Sequence, residues 1–138
     1  MLICSKAKRS SGSIEILLDT HMLLWWLTDD SRLSKTARSL VADPANMFTV
    51  STATAWEIAI KQALGKITID GSLEQAVREQ GFTMLPVTFP HAAETLTLPS
   101  IHRDPFDRML VAQARVESLR LLTVDSHILQ YPVNVIEG

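Results

Sequence analysis

Four acidic residues, Asp19, Glu57, Asp107 and Asp125, are spaced so that a chain alternating strand and helix would bring them together. Asp19 ends the short apolar run 14–18, and Asp125 ends Leu121 to Val124. In an open parallel sheet the carboxyl ends of the strands line one edge, where such folds place their ligand crevice. Asp107, in the first turn of a helix that follows a strand and loop, falls at the same edge, and Glu57 lies one turn into its own helix. Converging carboxylates repel one another unless protons or cations neutralise them. A hard divalent cation answers that need. Magnesium or manganese (Mg2+ or Mn2+) takes oxygen ligands and keeps several waters, so a carboxylate set without His or Cys suits it better than zinc. Phosphoryl chemistry is what such a site offers, with one or two ions bound.

Each acid also has an ordinary structural explanation. Asp19 suits a strand-end turn or a helix cap, and Asp125 suits the cap of a helical turn. Glu57 has Lys61 four residues on, the spacing of a surface ion pair. Asp107 would complement a helix dipole beside Asp104. Their joint order, more than any one of them, carries the information.

The elements that must position these acids can be read from periodicity and punctuation. The strand 14–18 leads through Asp19-Thr20 into a helix over Met22 to Leu27. Ser34 caps a helix through Ala42, Asp43-Pro44 stops it, and Met47 to Val50 is a second strand. Ala53, Trp56, Ile60, Ala63 and Leu64 fall at helical spacing, with Gly65 placed as a C-cap. Ser72 to Gln75 fits a capping box for a helix ending at Gly81, Phe82 to Val87 reads as a third strand, and Pro90 to Leu96 as a short helix. Asp104 and Pro105 open a helix to about Ser118, followed by the strand Leu121 to Val124, a helical turn after Asp125, and a last strand from Val133 to Ile136. Alternation of this kind implies an α/β fold, a parallel sheet with helices on both faces.

A chain of 138 residues, 46% hydrophobic, is sized for one domain, here residues 14–138. Residues 1–13 carry Lys6, Lys8, Arg9 and four serines without an apolar stretch of signal-peptide type, and are expected to form a disordered N-terminal extension. The single cysteine, Cys4, offers neither a disulfide framework nor a thiolate metal site, which suits a cytoplasmic protein. No apolar run approaches the roughly 20 residues of a membrane helix. The net charge of −2 argues against broad phosphate binding, yet a carboxylate site awaiting metal makes any chain more acidic.

Four segments in order, Leu17-Leu18-Asp19-Thr20-His21, Trp56-Glu57-Ile58-Ala59, Asp104 through Ala114, and Leu122-Thr123-Val124-Asp125, resemble the PIN-domain family, in particular the VapC-like toxins of bacterial toxin–antitoxin pairs. The resemblance spans about residues 14 to 136, and the residues before Ile14 depart from the family pattern. It implies a PIN-like fold with a five-stranded parallel sheet and magnesium- or manganese-dependent endoribonuclease activity on RNA phosphodiester bonds. It also implies Asp19, Glu57 and Asp107 as core acids, with Asp125 at the more variable fourth position. Asp19 and Asp107 would bind metal directly, and Glu57 and Asp125 directly or through water. A cognate antitoxin follows from the same resemblance, with a PIN nuclease of RNA processing, or a catalytically silent RNA-binding module, as the alternatives.

Around these acids, His102, Arg103 and Arg108 are candidates for phosphate contact, against the alternative of a solvated loop. Hydroxyls of Thr20, Ser51 and Thr123 would steady a ligand, a substrate phosphate or simply backbone. Asp104 is expected to be a cap, and His21 a helix residue near the crevice. Trp25 and Trp26 cannot face the same way on a helix, so one is expected in the core and the other on a partner surface, of a homodimer or an antitoxin contact. Two other phosphoryl-site folds fit less well. A haloacid-dehalogenase enzyme needs a second Asp where His21 stands, and a receiver domain needs a Lys where Thr123-Val124-Asp125 stands.

Overall fold

The computed structural model describes residues 15–101 and 103–138. The expected N-terminal extension, Ile14 and His102 therefore lie outside the described residues. Five strands form one parallel sheet: β1 (Glu15–Leu18), β2 (Met47–Ser51), β3 (Thr83–Leu85), β4 (Arg120–Thr123) and β5 (Val135–Glu137), in the order β3-β2-β1-β4-β5. Six α-helices accompany them: α1 (Thr20–Leu27), α2 (Lys35–Ala42), α3 (Thr52–Ala63), α4 (Leu73–Glu79), α5 (Phe89–Glu94) and α6 (Pro105–Glu117). None of the described helices is long and apolar enough to cross a membrane.

The central strand explains why the sheet is covered on both faces. Ile16 and Leu18 pack into one core with Met22, Leu23, Ala37, Ile58 and Val77, while Leu17 between them packs into a second core with Leu110, Val111, Ala114, Leu121 and Ile128. Successive side chains of a strand point to opposite faces, so a run apolar at every position is buried from both sides. The chain builds outward from β1 to β2 and β3, then crosses to β4 on the other side. This reversal puts a crevice at the carboxyl ends of β1 and β4, where Asp19 and Thr123 stand.

Local chemistry fixes the helix starts. The Ser34 side chain accepts from the Ala37 amide, Ser51 from Ala53 and Ser72 from Gln75, and the Asp104 carboxylate accepts from Phe106 and Asp107, each meeting an N–H that has no partner within its helix. The expected capping box at Ser72 is half formed, because the Gln75 side chain turns to Glu79 at 3.4 Å. A full capping box forms instead at Thr88 and His91, opening α5. Strand β3 is shorter than its apolar run. Gly65 follows α3 with φ +73°, the left-handed conformation its helix end requires.

Helix α3 has the expected extent, but its buried residues are Ala53, Thr54, Glu57 and Ile58. Trp56, Ile60, Ala63 and Leu64, which define its apolar periodicity, face outward. The expectation for Trp25 and Trp26 also needs correction. Both are half-buried against the same core, Trp26 Nε1 donates to Gln80 Oε1 at 2.8 Å, and Trp25 is flanked by His21 and the Arg32 guanidinium. The open tryptophan is Trp56, 66% exposed.

Candidate active site

Every acid singled out from sequence is held at or beside the crevice by a different element. Asp19 occupies the N-cap position of α1 but makes no side-chain cap bond; its Oδ2 accepts from the Thr123 hydroxyl at 2.7 Å. The backbone amide of Asp19 extends the β1–β4 pairing to Leu122 O, which fixes the carboxylate at the switch between those strands. Glu57 is buried, with Oε1 accepting from Thr20 Oγ1 at 2.7 Å and Oε2 3.1 Å from Lys61 Nζ. Thr54 Oγ1, 3.1 Å from Thr20 Oγ1, completes a short polar chain between α1 and α3. The ordinary i,i+4 ion pair therefore forms and the acid still faces inward.

Asp107 is buried in the first turn of α6. Burial pushes its carboxyl up to about 8, and Asp104, Asp19, Asp125 and Glu57 all push the same way. Four separate acids thus act on this one carboxyl from the same edge of the sheet. Asp19 is also raised, chiefly by burial, which outweighs the Thr123 hydrogen bond and the nearby His21. Asp125 sits half-buried at the rim, its Oδ1 accepting from the His127 amide at 2.8 Å and its own amide donating to Thr123 Oγ1 at 3.0 Å. Thr123 thus ties two of the acids together.

The remaining candidates fall into place less evenly. Thr20 and Thr123 steady acids, and Ser51 caps α3. Asp104 is a cap, as expected. Arg103 is exposed, but the Arg108 guanidinium is turned onto backbone, donating to Pro99 O and Thr95 O, each at 2.9 Å, and to the Tyr131 hydroxyl at 3.3 Å. Sequence reasoning passed over Thr54, whose place three residues before Glu57 on one helix face was the available signal.

The donor chemistry fits a hard divalent cation: all-oxygen, anionic, and partly desolvated. Among the described residues no three His, Cys, Asp or Glu side chains are gathered closely enough to hold an ion by themselves. Magnesium does not need such a cage, since one or two carboxylates with waters and substrate phosphate suffice.

The family model for the PIN domain matches residues 16–134. The chain belongs to the PIN-domain family. A curated relative, Ribonuclease VapC22 of Mycobacterium tuberculosis, is 31% identical, over 87% of this chain and 97% of its own length. Among solved structures, FitAcB from Neisseria gonorrhoeae is similar with a TM-score of 0.64 at 22% identity, covering 88% of this chain and 96% of that one. A toxin–antitoxin complex from Klebsiella pneumoniae gives 0.60 at 20% identity, covering 88% and 96%. At those identities the two likenesses establish a shared fold. The five-stranded parallel architecture expected from sequence is thus the PIN fold.

Proposed function

We propose that this PIN domain is a metal-dependent ribonuclease, the toxin of a toxin–antitoxin pair, with Asp19, Glu57, Asp107 and Asp125 as its catalytic acids. The observation that carries the reading is Asp107, its carboxyl pushed up to about 8 first by burial and then by four neighbouring carboxylates. An arrangement so unfavourable when empty is accounted for by a cationic guest. The name of the 31%-identical relative supports RNA as substrate, and the complex from Klebsiella pneumoniae supports an antitoxin partner.

Asp19 and Asp107 would hold the ion, magnesium or manganese. When bound, it supplies charge neutralisation at the phosphate and acidifies water for attack. Thr123 keeps Asp19 aimed into the crevice, and Thr20 with Lys61 fixes both oxygens of Glu57, which with Asp125 orients water at the mouth. Arg103, exposed beside the start of α6, would be free to contact a substrate phosphate, whereas the Arg108 guanidinium is engaged by the Pro99 carbonyl. A homodimer is supported by the outward apolar face of α3, where Ile60 and Leu64 are exposed. The test is cleavage of single-stranded RNA by purified protein with magnesium or manganese. Activity is expected to stop in excess chelator, and undiminished cleavage there would overturn the metal mechanism.

A further inference from the structure

Beside the acids stands an aromatic pair that the metal chemistry does not use. Trp56 precedes Glu57 on α3 and Phe106 precedes Asp107 on α6, and their rings meet edge to face, centroids 5.5 Å apart at 72°. The indole is held at a fixed angle by this contact while 66% of the residue stays open to solvent. Helical side chains lean toward the N-terminus of their helix. Since α3 starts at the carboxyl end of β2, Trp56 leans toward the crevice edge. Ile60 and Leu64 lie about 6 and 12 Å farther along the axis, away from it.

We infer that Trp56, braced by Phe106, is a stacking platform for one nucleobase next to the phosphodiester bond that is cut. This rests on the ribonuclease reading. A large exposed aromatic is costly on a monomer surface, and here it is joined through Phe106 to the first turn of α6, next to Asp107, at a site whose proposed substrate carries π-faces along its length. Every base can stack on an aromatic ring, so the platform positions the strand without reading its sequence. A rigid indole loses little conformational freedom on binding, which favours placement of the adjacent phosphate over the acids. Trp56 is a positioning residue in this scheme, and the acids remain the reacting centre.

The test uses the full chain and a series of single-stranded 10-nucleotide RNAs, each with the base removed at one position and the sugar-phosphate intact. Trp56→Ala is expected to lower kcat/KM on the intact RNA by about 5- to 150-fold, the range for one stacked base, mainly through KM. Trp56→Phe should retain most of the activity, and Phe106→Leu should fall between the two. The deciding result is coupling. In the wild type, removing one particular base should cost as much as Trp56→Ala does, and in Trp56→Ala the same removal should cost little more. Equal sensitivity to base removal in both proteins would overturn the platform while leaving the nuclease reading intact. Loss of self-association in Trp56→Ala, seen by light scattering with coupling absent, would make Trp56 an interface residue and overturn it too. Failure of the wild type to cleave any RNA would remove the ribonuclease reading and the platform with it.

Discussion

Between α5 and α6, His91 and Gln113 are as deeply buried as the apolar core, and nearly all their polar atoms meet complementary partners. His91 Nδ1 accepts from the Thr88 amide at 3.0 Å, which leaves Nε2 carrying the hydrogen and donating to Glu117 Oε2 at 2.8 Å. Gln113 Nε2 lies 3.4 Å from the same Nδ1, and only its Oε1 lacks a partner among the described residues. At the crevice the buried polar groups include the carboxylates of Asp19, Glu57 and Asp107, the first two held by two threonine hydroxyls and one lysine. The first region satisfies its hydrogen bonds internally and so contributes stability and a unique packing. The second concentrates negative charge, which under the proposed function an external cation would neutralise. Burial of a polar residue alone distinguishes nothing; the sign of its neighbours does.

Substitutions separate the two regions, and the largest effect belongs to the acids. Asp19→Asn should abolish cleavage, with a loss exceeding the roughly 10–100-fold typical of outer partners of a metal ligand, while the protein stays folded. Thr123→Val, which removes the hydroxyl donating to Asp19 but leaves the acid set intact, should fall within that range of roughly 10–100-fold. Initial rates at saturating magnesium check both. Full activity in Thr123→Val would mean that burial alone orients Asp19. In the other region His91→Leu should reverse the pattern, leaving cleavage per folded molecule unchanged. It should cost about 1–3 kcal/mol of stability, because the Thr88 amide and Glu117 lose their partner. Urea denaturation with a parallel cleavage assay would show it, and a stable but inactive variant would contradict the division.

The acid region was more legible in sequence than the histidine region, for a physical reason. Asp19, Glu57, Asp107 and Asp125 announce themselves through strand ends and helix starts, where the fold's topology dictates position. Caps at Ser34, Ser72 and Asp104 were readable because one side chain satisfies a nearby amide. His91 and Gln113 meet through packing of two helices, which no local pattern records. The outward face of α3 was illegible in the same way. Apolar spacing identifies a helix, but Thr54 and Glu57 occupy its buried face through their bonds to Thr20, so Trp56, Ile60 and Leu64 turn toward solvent. Arg108 shows the converse, a residue type suited to phosphate whose guanidinium is engaged by loop carbonyls.

The smallest expected effect is the one that tests how the acid region differs in kind, and it lies in stability without metal. A carboxyl with its folded-state value raised to about 8 keeps a proton that the unfolded chain, with an ordinary carboxyl, has already released. Between those two values the folded state binds more protons. The contribution of this carboxyl to the stability of the metal-free protein should therefore be fully present below the ordinary value of 3.8 and be lost as pH rises through about 8. Asp107→Asn removes the titrating group, so its melting temperature should depend less on pH and should equal or exceed that of wild type at pH 8. A residue serving only to complement the α6 dipole predicts the opposite sign, a loss of about 0.3–1 kcal/mol on the same substitution. Added magnesium should then raise the wild-type melting temperature more than the variant's, since an ion that binds the folded state stabilises it by mass action. A variant that melts lower than wild type at pH 8 without metal, yet gains as much from magnesium, would make Asp107 a residue that serves the α6 helix start and not the acid site.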